Sequence, residues 1–161
     1  MMITREVEAA INESVLCWLG SVSSDGVPNV SPKEAFIHDG AGKLLIANIA
    51  SPVSQKNLGA CDRVCVSFIE IFTQKGYKIE GRARVLNDED EGYGYRKRKL
   101  LSVIGDSFDI LSIFEISPLS INRIIAPSYR VFPDSSEDDR IKESITSYRV
   151  AEYQDRQNKT K

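Results

Sequence analysis

Residues 76–86 alternate in character: Tyr77, Ile79, Gly81, Ala83 and Val85 share one parity, and Lys78, Glu80, Arg82 and Arg84 the other. A period of two puts the first set on one face of a β-strand and the second on the opposite face. Such a strand has a buried side and a wet side, as in an antiparallel sheet that covers a core on one face. Val64, Val66 and Phe68 alternate in the same way within a strand expected over residues 63–72. Further strands are expected over 15–23, 27–38, 43–49, 112–116 and 120–126. Turn residues separate them. Asp25-Gly26 supplies the positive φ of a hairpin turn, residues 39–42 (Asp-Gly-Ala-Gly) make the next turn, and residues 73–75 another. Pro28 and Pro32 limit which backbone groups of the second strand can pair, and Pro118 interrupts the last two strands.

Helices are fewer. Thr4 followed by Glu6 and Glu8 reads as a helix start, with Val7, Ala10, Ile11 and Ser14 on one face of a helix over 4–14. A short helix is expected over 52–60. Residues 87–104 read as a longer one, with Asp88, Glu89, Asp90 and Glu91 in its first turn and Arg96, Lys97, Arg98 and Lys99 later, an order that complements the helix dipole. After Pro133 the chain turns polar and acidic. A tail helix is expected there, with Ile141, Ile145 and Tyr148 on one face and fraying over the last ten residues. The expected organisation is a barrel domain over residues 1–133 and a polar helical tail over 134–161. Short strands, frequent turns and few helices indicate a mainly β (α+β) fold, a closed or nearly closed antiparallel barrel with flanking helices.

Composition narrows the function classes. A chain of 161 residues with 42% apolar and 27% charged residues builds an ordinary core without disulfides. A formal net charge of −2 gives no general affinity for nucleic acid, and the basic run 96–99 reads as a solvated helix face. Cys17, Cys61 and Cys65 are expected as free thiols in a reducing compartment. Cys61 and Cys65 have no further Cys or His nearby in sequence, so no metal site is expected. No apolar run approaches the ~18 residues of a membrane span, and the N-terminus has no signal-peptide core. A cytoplasmic protein without a membrane partner is expected. No Ser-His-Asp, Cys-His or paired-carboxylate pattern stands out, so hydrolysis is not favoured and no catalytic residue is assigned. His38, the lone histidine, is expected in a solvent-facing turn, and Trp18 in the core.

One segment points to a ligand. In residues 44–58 (Leu-Leu-Ile-Ala-Asn-Ile-Ala-Ser-Pro-Val-Ser-Gln-Lys-Asn-Leu) an apolar strand meets a Ser/Pro break and then a helix start carrying Ser54, Gln55 and Lys56. Free backbone N–H groups, a hydroxyl and an ammonium together suit a phosphate. Lys56 and Lys33 are the charge candidates and Ser54 a hydroxyl donor. Pro32 removes a ladder donor, which leaves strand-edge groups free for a flat heterocycle.

In order and spacing, four stretches resemble the pyridoxamine 5′-phosphate oxidase-like split barrels that bind FMN. They are residues 19–33 (Leu-Gly-Ser-Val-Ser-Ser-Asp-Gly-Val-Pro-Asn-Val-Ser-Pro-Lys), 44–58, 63–68 (Arg-Val-Cys-Val-Ser-Phe) and 75–86 (Lys-Gly-Tyr-Lys-Ile-Glu-Gly-Arg-Ala-Arg-Val-Leu). The resemblance implies an antiparallel split β-barrel and a homodimer with FMN at the subunit interface. It implies that Ser54, Gln55 and Lys56 hold the phosphate and that Ala47 and Asn48 run along the flavin ring. Ser31, Pro32 and Lys33 would face the ring and ribityl chain, and Lys75 and Gly76 would approach the flavin edge from the partner region. Tyr129 and Arg130 either reach a partner's flavin or begin the tail. The chain departs from true pyridoxamine phosphate oxidases. It has no C-terminal Trp-containing segment, and Lys33 is the cation nearest to their second-strand Arg, so vitamin B6 oxidation is not implied. The function expected is that of a small FMN-dependent oxidoreductase, with a nicotinamide or other electron donor. A non-catalytic flavin module for storage or sensing, or the same barrel holding heme or a deazaflavin, are the alternatives.

Overall fold

The computed structural model describes residues 3–158. Seven strands form one antiparallel sheet: β1 (Cys17–Val22), β2 (Pro28–Lys33), β3 (Phe36–His38), β4 (Leu44–Asn48), β5 (Arg63–Glu70), β6 (Lys75–Leu86) and β7 (Ser112–Ile125). Their spatial order is β2-β1-β5-β6-β7-β4-β3. The two edge strands, β2 and β3, are therefore neighbours in sequence, joined only by Glu34 and Ala35. So short a link forces the sheet to curl until its edges meet, which makes the split barrel. Ala47 N–H donates to the Ala35 carbonyl at 2.9 Å and fastens the link to β4. The single strand expected over 27–38 is thus two strands on opposite edges.

Helices α1 (Arg5–Glu13), α2 (Pro52–Ala60), α3 (Tyr93–Ile104), α4 (Ser128–Val131), α5 (Glu137–Ser147) and α6 (Val150–Asn158) flank the sheet. Thr4 caps α1 by accepting from the Val7 N–H, and Val7 and Ile11 enter the core. The core has two parts. The barrel interior gathers Cys17, Leu19, Val66, Phe68, Ile79, Phe114 and Ile116 with α1. A second cluster packs α3 through Tyr93 and Leu100 onto Ile37, Leu45, Ala47, Leu86 and Ile113. β4 lies between the two, with Leu44 and Ile46 facing the first and Leu45 and Ala47 the second. Burial on both faces explains why β4 is a continuous apolar run while β6 alternates.

Several expectations are corrected. Helix α3 begins at Tyr93, because Asn87 and Asp90 close a turn on each other and Gly92 takes the left-handed conformation at φ 76°. The acidic residues 88–91 therefore belong to the turn, and no charge in the first or last turn of α3 complements its dipole. Pro118 does not divide β7. It stands opposite Gly81 at a register shift in β6, where the missing Cβ lets the Ser117 carbonyl approach closely. Trp18 points outward and is 47% exposed. The tail holds helix α6 to Asn158, and residues 159–161 of the frayed end lie outside the described residues.

Candidate functional site

Two cavities adjoin at the end of β4 and share Ile49, Ala50 and Ser51 as a common wall. The first, about 260 Å³, lies between the β2–β3 link (Pro32–Ala35), Ala47, and Ile104 and Phe108 at the end of α3. The second, about 640 Å³, is bounded by Asn48, Pro52, Gln55, Lys56, Gly59 and Leu111. The second is within the usual size of a small-molecule site and the first just below it.

Lys33 is the unusual residue of the first cavity. Burial alternates along β2, with Asn29, Ser31 and Lys33 turned inward and Pro28, Val30 and Pro32 outward. Lys33 is 6% exposed. Its Nζ donates to Ser31 Oγ and to the Pro32 carbonyl at 3.1 Å. No carboxylate of the described residues lies within ion-pair distance of it, although exposed Glu34 lines the same cavity. Burial lowers its pKa below the ordinary lysine value, and the Cys17 thiol opposite on β1 pulls weakly the other way. Burying an ammonium without a counter-charge is costly, so this position is suited to a ligand that brings negative charge.

The second cavity opens on the start of α2. Ser51, the N-cap, makes no side-chain hydrogen bond, and Pro52 follows it without an N–H. The first-turn N–H groups of Val53 and Ser54 therefore have no cap, and Lys56 stands exposed beside them. Uncapped donors at the positive end of a helix dipole with an ammonium alongside are suited to an anion.

The structure separates Ser54, Gln55 and Lys56. Ser54 is buried under α2, where Asn29 Nδ2 donates to its Oγ at 3.5 Å. Gln55 Oε1 accepts from Asn48 Nδ2 at 2.5 Å and from Ser112 Oγ at 3.2 Å. Lys56 alone of the three side chains keeps its charge at the cavity. Asn48 is 1% exposed and bridges three elements: it also donates to Ser112 Oγ at 2.9 Å and accepts from the Ser51 N–H at 3.0 Å. Its work is to hold β4, β7 and the start of α2 in place. A seam of Ser21, Asn29 and Asn57 continues beneath α2, with Asn57 Nδ2 donating to Ser21 Oγ at 3.2 Å. Sequence reasoning missed this seam. The signal available was polar residues at inward parity on β1 and β2.

Lys75 and Gly76 are not brought to the cavities within one chain. Ala47 pairs with Ile113, and Ile113 with Leu86, so one row crosses β4, β7 and β6. Lys75 is eleven residues further along β6, roughly 36 Å at the usual strand rise. Its ammonium pairs with Glu137 of α5 and lies 4.7 Å from the centre of the Tyr129 ring. Gly76 packs against β5, where a Cβ would collide with the Phe68 carbonyl and lie 2.7 Å from the Ile69 Cα. Tyr129 lies in α4, its hydroxyl donating to the Thr73 carbonyl at 2.8 Å. His38 is not a free turn residue. Its Nδ1–H donates to Glu8 at 2.9 Å and its Nε2 accepts from the Gly42 N–H at 3.2 Å, which ties α1 to the β3–β4 turn.

Comparison with known proteins agrees with this architecture. The family profile described as pyridoxamine 5′-phosphate oxidase matches residues 3–125. The chain belongs to the pyridoxamine 5′-phosphate oxidase family. No curated protein matches it. Among solved structures it is similar to HupZ of Group A Streptococcus, at 19% identity and TM-score 0.66 over 78% of this chain and 99% of that one. An FMN-binding protein of Syntrophomonas wolfei matches at 14% identity and TM-score 0.60, over 74% of this chain and 84% of that one. HutZ of Vibrio cholerae, a heme storage protein, matches at 20% identity and TM-score 0.60, over 78% and 95%. Helices α4 to α6 lie beyond the matched region. None of the described helices is long and apolar enough to cross a membrane, and no group of three or more metal-ligating side chains gathers among the described residues.

Proposed function

We propose that the protein binds FMN in the paired cavities and acts as a small FMN-dependent oxidoreductase, a homodimer of the cytoplasm. The observation that carries the reading is the buried Lys33 ammonium without a carboxylate, one wall away from the uncapped start of α2 and Lys56. A phosphate-bearing flavin brings an anion to the α2 start and Lys56, and a polar ring edge to Lys33. The first cavity also offers apolar walls, Ala47, Ile49, Ile104 and Phe108, for a flat ring. Ser31, Pro32, Lys33, Ala47 and Asn48 would frame the ring, and Ser54, Gln55, Lys56 and the α2 backbone the phosphate. Gln55 and Asn48 act by shaping the α2 start and Ser54 by supporting it from below. Lys75 and Gly76, remote within one chain, would serve a flavin held by the other subunit.

When bound, FMN supplies hydride and electron transfer, which leaves the protein the tasks of binding, orientation and charge stabilisation. The division proposed is a flavin-binding barrel over residues 1–133 and a helical tail over 134–161. Three free cysteines, with Cys17 fully buried, suit a reducing compartment. Heme held by histidine has no support here, because the only histidine is committed to Glu8 and Gly42.

The test is the absorption spectrum of the purified protein with mass spectrometry of the released ligand, followed by FMN titration of stripped protein. A flavin spectrum and the FMN mass are expected. A colourless protein that ignores added FMN would overturn the reading, and a deazaflavin mass would replace the ligand. FMN binding without turnover of any nicotinamide donor would turn the enzyme into a carrier or sensor.

A further inference from the structure

The cavities are served by two lysines in unlike surroundings. Lys33 is buried, and two of its three ammonium hydrogens are engaged by Ser31 and Pro32. Lys56 is exposed, beside backbone donors at the start of α2. On the FMN reading above, we infer that Lys33 faces the pyrimidine edge of the flavin ring and favours its reduced form, while Lys56 and the start of α2 hold the phosphate.

Three observations support the division. A phosphate monoester carries nearly two charges and is strongly hydrated, so it suits the place with several oriented donors and access to water. That place is the rim of the larger cavity. Behind the apolar walls of the smaller one, a dianion would face a single cation, with exposed Glu34 at the same cavity opposing it. A flat aromatic ring, by contrast, matches walls formed by Ala47, Ile49, Ile104 and Phe108, and Lys33 is the one cation in the lining for its polar edge. Charge supplies the third argument. A neutral oxidised flavin that accepts a hydride, two electrons and one proton from a hydride donor such as a nicotinamide, carries one net negative charge on its pyrimidine ring. A buried ammonium with no competing carboxylate in contact stabilises that anion selectively, because screening by water is weak there. The groups facing Lys33 are the Cys17 thiol across β1, the Ser31 hydroxyl and, more distantly, Glu34. Of these only Glu34 is a carboxylate.

The experiment compares wild type, Lys33→Met, Lys33→Arg and Lys56→Glu as full-length proteins. Dissociation constants for FMN and riboflavin are read by fluorescence quenching. The two-electron potential of bound FMN is read by anaerobic equilibration with a reference dye, and urea midpoints report folding. Lys33→Met is expected to bind oxidised FMN within about threefold of wild type but reduced FMN at least tenfold more weakly. That difference is a fall of about 30 mV in the potential. Lys33→Arg keeps the wild-type potential. Lys56→Glu loses the preference for FMN over riboflavin and leaves the potential unchanged. A wild-type potential in Lys33→Met overturns the assignment, as does loss of the FMN preference in that variant, which would make Lys33 a phosphate ligand. A wild-type protein that binds neither flavin fails at the flavin reading itself and removes this assignment with it.

Discussion

Asn48, Lys33 and Cys17 show how little a residue's type says about its task until its neighbours are known. The resemblance sets Asn48 along a ring, and in the structure its amide also bonds Ser51, Gln55 and Ser112. Asn48→Ala takes a hydrogen-bond partner from buried Ser112 and from the Ser51 N–H. It should cost about 2–3 kcal/mol, read as a lower urea midpoint with the slope unchanged. Cys17 is fully buried, and burial pushes its thiol up to about 12, against the opposing pull of Lys33. In the unfolded chain the thiol ionises near its ordinary value of 9.0. Between these limits the folded state holds a proton that the unfolded state has released, so stability falls as pH rises. The stability advantage of wild type over Cys17→Ala should therefore be constant below pH 9 and shrink from there towards pH 12. Unfolding curves at stepped pH check it, and a constant difference would remove the role of burial.

At the scale of elements, the tail helices attach to one place, the turn between β5 and β6. Tyr129 bonds Thr73, Gln74 donates to the Tyr148 hydroxyl at 2.9 Å, the Phe72 and Tyr148 rings lie 6.3 Å apart, and Glu137 pairs with Lys75. Arg140, 5% exposed, lies over the other partner of this cluster, its guanidinium 4.6 Å from the Tyr129 ring centre. The ion pair is half exposed on the Glu137 side, so Glu137→Gln should change stability by less than about 1 kcal/mol. Truncation after Phe132 removes the Tyr148, Glu137 and Arg140 contacts and leaves of this set only the Tyr129–Thr73 bond. Hydrogen exchange should then accelerate at residues 70–76 while β4 and β7 keep their protection. Uniform acceleration across the sheet would show that the tail stabilises the barrel as a whole. The helices were legible where a cap and an apolar face coincide, as in α1. The start of α3 was not, because acidic residues suit both a first helical turn and the turn closed by Asn87 and Asp90.

At the scale of the molecule, the outer face of β2, β1 and β5 carries apolar side chains into solvent. Gly20 stands between Val30 and Cys65, and Trp18 between Pro32 and Ser67. Val30 is 62% exposed. Such a patch suits an interface, and a dimer that buries it would exclude water around Trp18. Sedimentation velocity should give twice the 18.0 kDa chain mass for wild type and the single mass for Val30→Glu. The exposed position leaves the fold of Val30→Glu within about 0.5 kcal/mol of wild type. A monomeric wild type would remove the homodimer and, with it, any role for Lys75 and Gly76 at a partner's flavin.

Period-two alternation and Asp-Gly turns act over a few residues, so the turns, the barrel class and the strands outside 27–38 and 112–126 were legible in the sequence alone. The sequence also marked β4 and the start of α2 as the place where a ligand would meet the fold. The tertiary structure decided the rest. The curl of the sheet depends on β2 and β3 lying on opposite edges, and nothing local to Glu34 and Ala35 announces that. The separation of Ser54, Gln55 and Lys56 follows from what each side chain meets across α2: Asn29, Asn48 and the open cavity. The standing of Lys33 is likewise a matter of three dimensions, since a lysine becomes a buried, unpaired charge only when distant segments close around it without bringing a carboxylate.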